Sequence, residues 1–211
     1  LPDTFRLEKG SIDSLSVSYG EAGRPYVLDG TRVESAYDAG SSQYRFEMQG
    51  GRLLLPFKGC PEFSLMSGTA QFNQASRRVN VPSCRLTTAA GGYLDIKGDW
   101  DGSSSSWTAN MVVNGVPASS VLEGHWKKHV QGSVSGGIDL RGGRDGVTHV
   151  AGLARLQGGM LTGLPVLDRL ALFCGSSRFR NLPLHEASAQ FSYQESAWHI
   201  SNILVESENL V

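Results

Sequence analysis

The chain has 211 residues, of which 40% are hydrophobic, 18% charged and 9% aromatic, enough for one generous domain or two small ones. Its 26 glycines and 26 serines argue against a helical bundle, because each interior Gly costs a helix about 1 kcal/mol relative to Ala, and without a G-X-Y period they exclude collagen. The hydrophobic share excludes a wholly disordered chain, and a net charge of −1 lacks the basic footprint of a general nucleic-acid binder.

From the N-terminal side onward, alternation with period two dominates, as half-buried strands require. Leu15, Val17 and Tyr19 alternate with Ser14, Ser16 and Ser18. Tyr44, Phe46 and Met48 alternate with Arg45, Glu47 and Gln49. Phe63–Phe72 and Arg78–Leu86 read as a hairpin about Gln74-Ala75-Ser76, which sets Cys84 opposite the region of Met66. The run Gly102–Ser106 is a hairpin tip, not a linker. Pro117–Trp126 reads as a short helix with Pro at its first position. Strands are expected over 132–140 and 147–156. Gly163–Phe173 reads as a second helix, with Leu164, Leu167, Leu170 and Phe173 on one face and Gly175 as its terminator. Ala187, Ala189, Phe191 and Tyr193 alternate with Ser188, Gln190 and Ser192.

Nine dipeptides punctuate these segments: Asp29-Gly30, Gly50-Gly51, Gly91-Gly92, Asp101-Gly102, Asn114-Gly115, Gly136-Gly137, Gly142-Gly143, Asp145-Gly146 and Gly158-Gly159. Each suits the positive φ of a tight hairpin turn. The fold class that follows is mainly β: an antiparallel meander curled into an elongated groove or sandwich with two short helices. A soft boundary near Asn114-Gly115 divides a 1–113 meander half from a 114–211 half within what reads as one continuous domain.

The start, Leu1-Pro2-Asp3, reads as a mature form or an excised piece. Ile203-Leu204-Val205 and Leu210-Val211 still look like strand, so the chain is expected to stop inside a fold. No apolar run approaches the roughly 18 residues of a bilayer span, so any membrane anchor is expected outside this chain. Cys60, Cys84 and Cys174 are an odd set that leaves a thiol unpaired. The hairpin pattern argues against a Cys60–Cys84 bridge, and no metal-type spacing is present.

The C-terminal half carries a resemblance. Asn114–Gly124 is similar to the "gvpl..ll" element of AsmA-like proteins, and Val130–Gly142 to that family's Gly-rich strand pair. Val150–Leu167 resembles the element that leads into its short helix, and Phe179, Leu182, Ala187, Phe191, Trp198, Ile200 and Leu204 follow its closing strands. The match spans about 110–211; residues 1–110 share only a strand-turn texture. Cys174 and the polar Gly175–Arg178 depart from the pattern. The resemblance implies a periplasmic envelope protein of a double-membraned bacterium, anchored by a segment outside this chain, with a β groove that carries phospholipid acyl chains in outer-membrane biogenesis.

Catalytic and metal patterns weigh less. His125 and His129 stand at i, i+4, a spacing that suits zinc, but no third ligand is evident and Lys127 and Lys128 repel a cation. Arg141-Gly142-Gly143 is a single RGG without aromatic stacking neighbours. His149 with Asp145 or Asp139 and a serine makes a triad only on paper, since no Gly-x-Ser-x-Gly elbow is present. Glu206 and Glu208 share a strand face about 7 Å apart, which solvent exposure explains. Arg77-Arg78, Lys127-Lys128 and Arg178-Phe179-Arg180 are small basic clusters suited to lipid phosphates or plain surface charge.

The expected function is therefore a non-enzymatic lipid-binding or lipid-transfer module with no cofactor, no metal and no nucleic-acid partner. Its partners are phospholipid acyl chains, the membrane, and other envelope proteins. Tyr44, Phe46, Met48, Val134, Ile138, Leu140, Val150 and Leu156 are expected to line its apolar groove. The alternative is a structural or adhesive β-sandwich that binds protein or glycan at a bacterial surface, with an enzyme third.

Overall fold

A computed structural model describes residues 8–21, 23–55, 61–122, 124, 126–194 and 196–207. Twelve strands form one antiparallel sheet: β1 (Lys9–Glu21), β2 (Arg24–Asp38), β3 (Gln43–Gln49), β4 (Arg52–Leu54), β5 (Phe63–Asn73), β6 (Arg78–Thr88), β7 (Tyr93–Asp101), β8 (Ser106–Pro117), β9 (Val130–Gly143), β10 (Gly146–Thr162), β11 (Asn181–Gln194) and β12 (Ala197–Glu206). They follow chain order across the sheet, except that the short β4 sits beside β3, where it bridges β2 and β5. The fold is thus the expected antiparallel meander. β8 runs through Asn114-Gly115, so the sheet is continuous across that point.

Three short helices lie at one end of the strands: α1 (Ala118–Val121), α2 (Trp126–His129) and α3 (Pro165–Phe173). The single helix expected over 117–126 is therefore two separate turns. Gly124 takes φ +58° between them, outside the helical region. α3 ends as expected: Gly175, at φ +66°, donates to the Leu172 carbonyl and Ser176 to the Ala171 carbonyl, the paired bonds of a Schellman close. Its buried stripe differs from the expected one. Leu167 and Ala171 are buried, whereas Phe173 is 91% exposed. Nine residues at 100° each place Leu164 and Phe173 on opposite sides of the helix.

The glycine dipeptides divide into two groups. Gly50-Gly51, Gly91-Gly92, Gly102 and Asp145-Gly146 stand at or beside turns, with Gly142-Gly143 closing β9. Asp29-Gly30, Asn114-Gly115, Gly136-Gly137 and Gly158-Gly159 instead lie inside strands. Positive φ serves a bulge as well as a turn. Gly30, at φ +71°, marks where β2 changes partner from β4 to β3. Gly158, at φ +56°, sits in the register shift between Gln157 and Met160. A further shift after Leu65 leaves Met66 unpaired and 53% exposed, so Cys84 stands opposite Gly68, not Met66. Cys84 and Cys174 are free thiols; Cys60 lies outside the described residues.

Buried side chains concentrate at the helical end. Phe63, Leu65, Leu86, Leu94 and Val116 form one cluster, joined by Leu28, Leu53 and Leu55. Leu167 of α3 packs on Leu182 and Leu184 of β11 in a second.

Candidate apolar binding face

Paired residues of an antiparallel ladder project to the same side of the sheet, so the register assigns every side chain to a face. Tyr44, Phe46 and Met48 stand opposite Phe72, Ala70 and Gly68 of β5. Phe72 opposes Val79, which opposes Trp100, which opposes Trp107. Met111 of β8 opposes Ile138, and Ala109 opposes Leu140. Val134 opposes Leu156, and Leu140 opposes Val150. Val150 opposes Tyr193, which opposes Trp198. One apolar face therefore runs from β2 to β12, and all eight residues expected to line a groove lie on it. Phe72, Trp100, Trp107, Met111, Phe191 and Tyr193 belong to the same face, although the eight expected positions omit them.

Glycines on this face record how the sheet bends. A methyl built on Gly98 would lie 2.7 Å from the Thr108 carbonyl oxygen, and one on Gly152 would lie 2.6 Å from the Gly137 carbonyl oxygen. One on Gly136 would overlap the Leu153 carbonyl. Next along the chain, Gly137 points to the other face and a methyl there would meet nothing within 4 Å. Neighbouring backbone thus rises toward the apolar side and leaves the polar side open. At these positions the sheet folds around its apolar face, and Gly is required because a Cβ would strike the adjacent strand.

Among the described residues no second sheet covers this face. Tyr44, Phe46, Met48, Met111, Ile138, Leu140, Leu156 and Phe191 are only half-buried, whereas Leu65 and Leu86 at the helical end are 4% and 1% exposed. The face is closed at that end and open along much of its length. At the opposite end aromatic rings gather. Tyr37 and Tyr44 lie 5.0 Å apart by ring centroids, and Tyr193 and Trp198 lie 5.1 Å apart.

The other face is polar and pinned by cross-strand pairs. Arg85 donates twice to Asp95 at 2.7 Å, and Arg78 holds Asp101 at 2.9 Å. Asn80 donates to Asp99 and Asn110 to Asp139. Hydrogen bonds from Ser103, with help from Arg78, lower the Asp101 carboxyl to about 2. Burial, with the Asp95 charge a smaller cause, pushes the Cys84 thiol up. Hollows of about 530 Å³ mark this face, one of them among Gln71, Asn80, Asp99 and Thr108.

The candidate catalytic and metal-ligating residues engage other partners. His149 contacts Gln194 at 3.2 Å, whereas Asp139 accepts from Asn110. Glu206 is exposed on the edge strand β12; Glu208 and His125 lie outside the described residues. His129 Nδ1 stands 2.6 Å from the Thr162 carbonyl oxygen. Among the described residues no three His, Cys, Asp or Glu side chains gather as a metal site, and no helix is long and apolar enough to cross a membrane. Comparison of the chain with known family profiles, curated proteins and solved structures finds no match.

Proposed function

We propose that this chain is a non-enzymatic lipid-binding module whose folded sheet carries phospholipid acyl chains on its apolar face. The observation that supports this reading is the combination of continuity and exposure. The strands from β2 to β12 present one apolar face, folded inward and, among the described residues, left without a second layer, although a sheet face of this kind ordinarily buries itself against another. Acyl chains supply the missing layer. Each methylene taken from water contributes about 0.8 kcal/mol, so ten give about 8 kcal/mol before the cost of ordering the chain. Headgroups stay in water at the open slit, so no catalytic group or strong charge is needed. The resemblance of residues 110–211 to AsmA-like proteins adds a setting: the periplasm of a double-membraned bacterium, a membrane anchor outside this chain, and a role in outer-membrane biogenesis.

One observation favours a glycan-binding reading instead. The hollow on the polar face offers amide, hydroxyl and carboxylate groups of the kind that hold sugar hydroxyls. Mass spectrometry of the organic extract of purified protein, with thermal melting alongside, separates the two. We expect phospholipid in the wild-type extract, and Phe46→Glu and Ile138→Glu proteins that fold but carry less of it. A lipid-free wild-type extract, or collapse of both variants, defeats the acyl-chain reading.

A further inference from the structure

The helical end carries an apolar surface that the sheet does not use. On α3, Leu167 and Ala171 face inward, four residues apart. Val166 and Phe173, seven residues apart and so on one side of the helix, are 59% and 91% exposed, and Leu172 beside them is 76% exposed. A helix that shows large apolar groups outward after filling its packing stripe has an unused apolar side.

The surrounding charge is one-sided. Arg169 lies on the same helix, and Arg178 and Arg180 lie on the 3-10 turn that follows and packs against it. α2 adds Lys127 and Lys128. Its last residue, His129, touches Thr162 of β10, three residues before α3 begins, which puts the end of α2 near the start of α3. The one carboxylate among these segments, Asp168, sits 3.8 Å from Arg180. Three cations and one carboxylate thus flank the apolar residues, and Lys127 and Lys128 lie at the same end of the strands, in a chain whose net charge is −1.

We infer that this end docks on an anionic bilayer surface. Val166, Leu172 and Phe173 enter the interface as the apolar side of an interfacial helix does, and the cations meet lipid phosphates. The charge selects this occupant. A second copy would bring the same positive patch against itself, whereas an anionic membrane complements it. The inference goes beyond acyl-chain carriage and stands independently of it, since lipid extraction reads one property and vesicle flotation the other.

The test is flotation of the purified chain with two vesicle populations, pure phosphatidylcholine and phosphatidylcholine with phosphatidylglycerol. We expect binding to the anionic vesicles, weakened by added salt. Phe173→Ser lowers that affinity about tenfold or more, in line with one lost apolar anchor, without changing the melting temperature. Arg169→Ala combined with Arg178→Ala lowers it about twenty-five-fold, at about fivefold for each cation. No binding to anionic vesicles, equal binding to both populations, or a Phe173→Ser protein that floats like wild type overturns the inference. So does a dimer in sedimentation that Phe173→Ser dissociates while flotation is unchanged.

Discussion

Two adjacent glycines offer a controlled test of how the sheet bends. Gly136 and Gly137 sit in the middle of β9, one pointing to each face. Neither has positive φ, so Ala is conformationally allowed at both. Replacing Gly by Ala in an allowed conformation stabilises by about 0.4–1 kcal/mol, through the unfolded chain. Gly137→Ala should show that gain, since its methyl points into open space. Gly136→Ala must instead displace the Leu153 carbonyl. Overpacking costs about 1–3 kcal/mol, and a weakened ladder bond adds about 1 kcal/mol. The shared unfolded-chain gain cancels, so the two variants should differ by about 2–4 kcal/mol, which is about 4–16 °C in melting temperature for a chain of this size. Urea titration of both proteins, read by far-ultraviolet circular dichroism, measures the difference. Equal stability, or a Gly136→Ala protein more stable than wild type, would show that the neighbouring strand does not rise toward the apolar face there.

Leu86, 1% exposed in the closed end, should cost about 3 kcal/mol on replacement by Ala, whereas Ile138→Ala on the open face should cost about half as much; the reverse order in urea melts would refute the open-and-closed division. Thr31 is fully buried, and its hydroxyl has no hydrogen-bond partner among the described residues. Thr31→Val keeps the shape and removes the unsatisfied group, so it should stabilise by about 1 kcal/mol; a destabilised variant argues that a bound water completes the site. Asp101 has a folded pKa of about 2, below its ordinary 3.8. Its contribution is therefore complete above pH 4 and lost as pH falls toward 2. Wild type should lose more melting temperature between pH 4 and pH 2 than Asp101→Asn does, and parallel curves would count against that coupling.

Period-two alternation made the strands and their apolar sides legible, because the pleat itself sets that period. Tyr44, Phe46 and Met48 could be assigned to one face from six consecutive residues. The extension of the face to Trp100, Trp107, Met111 and Phe191 needed the pairing register, which depends on bulges such as those at Met66 and Gly158. The same limit explains the glycine pairs. Gly50-Gly51 turns the chain, whereas Gly136-Gly137 lets one strand ride over another, and only the neighbouring backbone distinguishes them. α3 was legible as a helix, but stepping by three residues carried its expected face around to Phe173, the most exposed of its apolar groups. Function was legible only as far as an apolar surface. Gly and aliphatic patterns describe a surface, and a surface specifies its ligand less sharply than a constellation of polar groups.

The most direct test of an acyl-carrying face is positional photocrosslinking in cells. Benzoylphenylalanine placed at Phe46, Met111 or Ile138 points to the apolar side, and the same residue at Glu47, Asn110 or Asp139 points to the polar side. Phospholipid adducts, identified by mass spectrometry of the purified chain, should form at the first three positions and not at the second three. Adducts at both sets alike, or at neither while the protein remains folded, would contradict acyl-chain binding on this face.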